Sequence, residues 1–242
     1  MRMFGLIGKL LDHSYSKTYF KKKFADEKIL DAKYENYPLS NIEDFKDLIQ
    51  QNSFTGINVT IPFKRTIIPY LDELSDEVKV IGAVNTILFS EGKTIGFNTD
   101  VHGFINSIKP YLKNNMESAL IIGTGGASIA VSYALNQIGI NCLFVSRNPD
   151  ENQISYEQIN NLVIKHHLLI INATPIGMYP YTNDYPKIPY ENLTGKHLLV
   201  DLIYNPKESL FLKKGKEKNS KILNGYSMLI HQAEESWRIW NT

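Results

Sequence analysis

The stretch "NVTIPFKR", residues 58–65, sets a proline and two cations directly behind a short run of strand formers. Asn58, Val59, Thr60 and Ile61 favour extended backbone, and Pro62 ends it. Pro62 also suits the first turn of a helix, where its missing N–H is not needed. Lys64 would then stand beside backbone N–H groups whose positive potential opposes an ammonium. Two readings follow: a solvated surface charge, or a lysine whose proton is meant to move. A second stretch, "IIGTGGAS", puts Gly123, Gly125 and Ser128 at the positions of G-x-G-x-x-(G/A), after an apolar run and before a helical one.

In that pattern Gly123 permits a tight turn, Gly125 lets a diphosphate approach the backbone, and a small Ser128 lets helix and strand pack closely. Backbone N–H groups at the helix start then bind phosphate. Glycine-rich turns without ligands and SAM-binding folds use similar loops, so the flanking strand and helix carry the dinucleotide reading. Beyond the next strand, an NAD site places an acid for the ribose hydroxyl. Here "FVSRNPDEN" has Ser146 and Arg147 instead. Arg147 can meet a 2′-phosphate with several N–H donors and stack on adenine, which favours NADP. Asp150 and Glu151, close by, weigh the other way.

The totals narrow the class. A chain of 242 residues is long for one core and comfortable for two. Its net charge of +1 supplies no field for nucleic acid or an anionic membrane. The single cysteine, Cys142, excludes a disulfide framework and reads as a small buried hydrophobe in "NCLFV". His166 and His167 lack metal-ligand spacing, and no metal site is expected. No run approaches the ~20 apolar residues of a membrane helix. Lys9 and Asp12 break the apolar N-terminus, which reads as a strand rather than a leader, so a cytoplasmic location is expected.

The elements that must position these residues alternate. Strands are expected at 3–7, 32–37, 56–59, 83–89 and 94–97, with helices at 15–25, 42–50, 64–71 and 76–81. A helix over 100–113, capped by Thr99 or Asp100, leads to a second series. Its strands fall at 119–122, 141–146, 168–171, 198–202 and 220–223, and its helices at 127–137, 156–164 and 209–214. An amphipathic helix over 226–240 closes the chain. Such alternation implies an α/β class: an N-terminal α/β domain with a mostly parallel sheet, then a Rossmann-like domain.

With both halves laid out, the sequence resembles the shikimate dehydrogenase family over essentially its whole length. "HSYS" (13–16), "GINVTIPFK" (56–64), "GAVNT" (82–86), "GFNTD" (96–100), "GTGGAS" (123–128), "NATPIGM" (172–178), "DLIYNP" (201–206) and "NGYSMLIHQA" (224–233) occur in family order. The resemblance implies reversible NADP-linked reduction of 3-dehydroshikimate to shikimate. It implies a substrate domain (1–99), an NADP-binding Rossmann domain (100–225), a cleft between them, and a C-terminal helix (226–242) returning to the first. The partner would be a small molecule, in a monomer or homodimer.

The family's site carries over residue by residue. Ser14 and Ser16 would grip the substrate carboxylate, their hydroxyls facing one way if the backbone is extended. Thr60, Asn85, Asp100 and Gln232 would surround the ring hydroxyls, with Tyr204 near the carboxylate and nicotinamide. Gly123, Gly125, Gly126, Ala127, Ser146, Arg147, Thr174 and Gly225 would hold the cofactor. Lys64 would be the acid or base and Asp100 its partner: a helix start opposes the ammonium and a carboxylate favours it, leaving a lysine charged yet able to share its proton. This chain departs from the family in having Lys17 where proline usually follows the second serine, Ser146-Arg147-Asn148 for Asn-Arg-Thr, and the Asp150–Glu151 pair for a second basic residue. Competing readings are an NAD-using or dual quinate/shikimate dehydrogenase, a non-catalytic binding module of the same fold, and a nucleotide-binding methyltransferase.

Overall fold

In the computed structural model, which describes residues 1–11 and 14–242, the chain falls into two units. One is Met1–Thr99 with Gln232–Thr242, the other Asp100–His231. His13 of "HSYS" lies outside the described residues.

The first unit is built from β1 (Arg2–Gly8), α1 (Tyr15–Asp26), β2 (Ala32–Pro38), α2 (Asp44–Gln51), β3 (Phe54–Val59), β4 (Glu73–Leu74), α3 (Asp76–Ile81), β5 (Thr86–Ser90) and β6 (Lys93–Phe97). Its sheet runs β2-β1-β3-β5-β6-β4. β1 pairs in parallel with β2 and β3, whereas β5 runs antiparallel to both β3 and β6. Phe45, Ile57, Ile67, Val78 and Ile87, all fully buried, belong to one core cluster of this unit.

The second unit carries α4 (Thr99–Ile108), whose first residue belongs to the first, then β7 (Ser118–Ile122), α5 (Gly126–Gln137), β8 (Asn141–Val145), β9 (Gln153–Ile154), α6 (Asn161–His166), β10 (Leu169–Asn172), β11 (Leu198–Asp201), α7 (Leu210–Glu217) and β12 (Lys221–Leu223). Its sheet, β12-β11-β10-β7-β8-β9, is parallel throughout. Strands β7, β10 and β11 are buried along nearly their whole length, as expected for a sheet covered on both faces. The order reverses between β7 and β10, so the loops leaving these two strands flank a topological switch point, where such sheets bind ligands.

The last helix, α8 (Tyr226–Trp240), is divided between the units at His231/Gln232. Its later turns pack in the first unit, where Trp240 and Trp237 join Phe4, Phe20 and Phe24 in an aromatic cluster. The Trp240 indole donates to the Ile87 carbonyl at 3.0 Å. Lys23, on α1, bridges Glu27 at 2.7 Å and Glu234 at 2.8 Å, and Tyr19 donates to the same Glu234.

Three expected elements take another form. No helix spans 64–71; the chain turns through 61–67 and forms a short 3-10 turn, Ile68–Tyr70. In a helix the Lys64 carbonyl would accept from Ile68, but it accepts from Val84 N–H at 2.7 Å, and Ile68 N–H goes to Arg65. Pro69 has no N–H to continue the ladder. The expected helix at 156–164 is instead a 3-10 turn, Tyr156–Gln158, followed by α6, because the Asn160 side chain caps a fresh start by accepting from Leu162 and Val163. The 100–113 helix ends at Ile108 and tightens into a 3-10 turn containing Pro110. Among the described residues, no helix is long and apolar enough to cross a membrane, and no group of His, Cys, Asp and Glu could hold a metal ion.

Candidate active site

The expected strand at 83–89 begins only at Thr86, leaving Asn85 in an irregular step before β5. Val59 N–H donates to the Asn85 carbonyl, and Asn85 N–H to Phe97, so this step is fastened on both sides. The Asn85 side chain is 3% exposed. Its Oδ1 accepts from the Thr99 N–H at 2.7 Å, and its Nδ2 donates to Thr99 Oγ1 at 3.0 Å and toward Gln232 Oε1 at 3.5 Å. Thr99 and Asp100 therefore lie inside α4 rather than capping it; the acceptor at the helix start comes from Asn85, fourteen residues upstream.

This contact belongs to a larger buried network within the first unit. Asn58 Nδ2 lies 2.9 Å from Ser236 Oγ, 3.1 Å from Thr86 Oγ1 and 3.1 Å from the Asn85 carbonyl. Asn58 Oδ1 accepts from the Tyr34 phenol at 2.9 Å, and the Ser16 hydroxyl bonds that phenol. Burial pushes the Tyr34 phenol up, the Ser16 bond opposing, so it stays a neutral donor. Ser236 Oγ meets Thr86 at 2.8 Å and Thr99 at 3.2 Å, and donates to the Gln232 carbonyl one turn back along α8. One hydrogen-bonded chain thus joins Ser16, Asn85 and Gln232. Tyr34, Asn58, Thr86 and Ser236 were not singled out from sequence. A polar residue amid an apolar strand, such as Asn58 in "GINVT", was the available signal.

Ser14 occupies the N-cap position of α1 in extended backbone yet makes no side-chain cap hydrogen bond. Ser16 is helical, so the shared face that a continuous strand would confer on the two serines does not apply. Thr60 follows β3, its N–H donating to Ile7 at 2.9 Å. Lys64 is half-buried on the turn between buried Phe63 and Ile67. Because no helix starts there, the macrodipole expected to oppose its ammonium is absent. Asp100 is buried, 7% exposed, in the first turn of α4. Tyr204 is half-buried on the loop after β11.

In the second unit, Gly123 has φ +107°, and a Cβ there would lie 2.8 Å from the Thr174 methyl. Only glycine brings the first turn of the loop against Thr174. At Gly125 and Gly126 an added Cβ would meet nothing within 4 Å, so these positions leave an open cradle. Gly125 is the N-cap of α5 and makes no side-chain cap hydrogen bond. A diphosphate on the first-turn N–H groups of Gly126 and Ala127 fits this donor-rich opening. Ser128 is fully buried against the sheet. Thr174 is fixed by Asn172, whose Oδ1 accepts from its N–H at 3.1 Å and its hydroxyl at 2.6 Å. Asn172 donates in turn to Asp201 at 3.1 Å, and Asp201 also accepts from Ile203 N–H and the Ser209 hydroxyl. Asn172, Asp201 and Ser209 were not singled out from sequence, although Asn172 and Asp201 end apolar strands at equivalent points. Ser146 turns the loop after β8 by accepting from Asn148 N–H at 3.2 Å, and Arg147 beside it is exposed. Gly225 is buried where the backbone passes so close to Leu202 that a Cβ would lie 2.0 Å from its carbonyl oxygen.

Comparison with known proteins identifies the family. The family described as "Shikimate dehydrogenase substrate binding domain" matches residues 6–87. The chain is 38% identical to the shikimate dehydrogenase (NADP(+)) of Methanococcus maripaludis, over 99% of this chain and 91% of that one. It is 39% identical to the protein of the same name from Clostridium beijerinckii, over 99% and 92%. Its fold superposes with a TM-score of 0.88 on a Thermus thermophilus shikimate 5-dehydrogenase in complex with NADP(H) and shikimate, 30% identical, over 99% of this chain and 93% of that one. With its glycine cradle, its buried polar network and these full-length likenesses taken together, the chain belongs to the shikimate dehydrogenase family.

Proposed function

We propose that this protein is an NADP-dependent shikimate dehydrogenase, catalysing reversible reduction of 3-dehydroshikimate to shikimate. The observation that carries the reading is the buried network that ties Ser16, Asn85, Thr99 and Gln232 together from four separate segments. A small polyol needs many converging donors and acceptors, and each one left unpaired costs about 1–3 kcal/mol.

In this reading Ser14 and Ser16 hold the ring carboxylate, and Thr60, Asn85, Asp100 and Gln232 the ring hydroxyls, with Tyr204 beside the carboxylate. Gly123, Gly125, Gly126 and Ala127 hold the diphosphate, Ser146 and Arg147 the adenosine end, and Thr174 and Gly225 the remainder of the cofactor. When bound, the dinucleotide supplies the hydride for reduction and accepts it in reverse. As a ketone is reduced, negative charge grows on its oxygen, and the Lys64 ammonium stabilises that charge and passes a proton to it. Asp100 is the lysine's proposed partner in that transfer. Two pieces support the assignment: the turn carrying Lys64 is pinned through Val84, next to Asn85, and Asp100 follows Thr99, which Asn85 binds directly. A cytoplasmic location belongs to the same proposal, since the co-substrate is a diffusible dinucleotide.

Initial rates with shikimate or quinate, each with NADP⁺ or NAD⁺, test the reading. Shikimate with NADP⁺ should have the highest kcat/KM, and Lys64→Ala should lower kcat by roughly 10²–10⁴-fold with little change in the KM for NADP⁺. Absence of turnover with both dinucleotides would overturn the function; near-normal turnover by the variant would remove Lys64 from the chemistry.

A further inference from the structure

A phosphate monoester carries close to two negative charges, more than one guanidinium neutralises. The residues just after Arg147 offer Asp150 and Glu151 rather than a second cation. Asp150 is turned into its own loop, accepting from Asn152 N–H at 3.0 Å and from the Gln153 amide. The folded chain brings a cation from elsewhere. Arg147 and Lys187, forty positions apart, line one cleft of about 420 Å³ in the second unit, together with Tyr156, Tyr185 and Ile176. That volume suits a nucleoside-sized group.

The cleft has the features such a group needs. The Lys187 ammonium sits 3.7 Å from the centre of the Tyr185 ring, and Lys214, on α7, lies 4.4 Å from the same ring. These contacts hold the two long side chains against an aromatic face. The hydrogen bond from Lys187, with the charges of Lys187 and Lys214, pushes the Tyr185 phenol down. Ile176 belongs to the loop that Asn172 and Thr174 brace beside the glycine cradle, which makes the cleft continuous in sequence with the cofactor loops. Glu157 and Asp184 also line it and bring its formal charge to zero. Glu157 is engaged by the Ser155 hydroxyl, which holds its carboxyl below the usual range.

We propose that Lys187 is the second cation for the 2′-phosphate of the dinucleotide, acting with Arg147 across this cleft and so setting NADP over NAD preference. The inference rests on the NADP reading above and adds to it a specificity residue from a segment remote from the glycine loop. Tyr156 and Tyr185, which line the same cleft, are the aromatic side chains available to the adenine.

Calorimetric titration of the full chain with 2′,5′-ADP and with 5′-ADP tests it, using the parent protein, Lys187→Ala and Lys187→Arg. Lys187 is exposed, so its replacement leaves the fold intact. The parent should bind 2′,5′-ADP more tightly than 5′-ADP. Lys187→Ala should weaken 2′,5′-ADP by roughly tenfold or more, as for loss of a charge-assisted hydrogen bond, and leave 5′-ADP unchanged; arginine should restore the difference. Equal 2′,5′-ADP affinity in parent and Lys187→Ala, or an equal loss for both probes, overturns the role of Lys187 while the NADP reading stands. A parent that does not distinguish the two probes overturns the NADP reading and this inference with it.

Discussion

Asp201 shows how a residue outside the reacting groups enters the account. Burial pushes its carboxyl up from the usual 3.8 to about 6, against the bonds from Ser209, Ile203 and Asn172 that hold it down. With the folded-state value above the unfolded one, the native state takes up the proton first. This group's stabilising contribution is complete below pH 3.8 and is lost as pH rises through about 6. Asp201→Asn removes the titration. The variant should gain on the parent across that window, by about 3 kcal/mol once the parent's carboxylate is ionised, read as the difference in urea-unfolding free energy at successive pH values. A difference that does not change with pH would contradict it. Some candidate residues stand out in sequence where a motif sets a polar group close to glycine or proline, as in "NVTIPFK" and "NATPIGM". The partners of Asn172 and Asn85 do not, since Asp201 and Thr99 reach them only through strand pairing and a helix start distant in the chain.

At the scale of elements, α8 depends on a missing side chain. A Cβ at Gly56 would lie 2.1 Å from Trp240 Nε1, so glycine in β3 is what lets the indole reach the Ile87 carbonyl. Gly56→Ala should destabilise the first unit by about 1–3 kcal/mol through overpacking. Displacing α8 also moves Gln232, so the KM for shikimate should rise while 2′,5′-ADP binding is retained. Unchanged stability and KM would show that α8 does not rest on β3 in this way. Amphipathic and apolar periodicity sufficed to place α8 and the longer strands of the second unit, above all β7, β10 and β11, which burial decides. Periodicity failed at 64–71 and at 156–164, where the outcome turned on single hydrogen bonds: Val84 N–H to the Lys64 carbonyl, and the Asn160 side chain to Leu162 and Val163. The two-residue strands β4 and β9 were invisible for a related reason, as neither is long enough to show alternation.

For the molecule as a whole, the residues of the proposed site are divided between the two units. The first carries the polar network and Lys64, the second the glycine cradle, Arg147 and Asp100. The α/β class and the parallel sheet of the second unit could be read from alternating patterns, whereas β5 running against its neighbours could not, because strand direction leaves no mark on composition. The central proposal is that the Lys64 ammonium and the Asp100 carboxylate act on a single ring oxygen. A crystal structure of the chain with NADP⁺ and shikimate bound together tests this most directly. It should show Lys64 Nζ and an Asp100 oxygen both within about 3.2 Å of one ring hydroxyl, with the ring carboxylate on Ser14 and Ser16. A ring hydroxyl facing the nicotinamide but bonded to neither Lys64 nor Asp100 would contradict it.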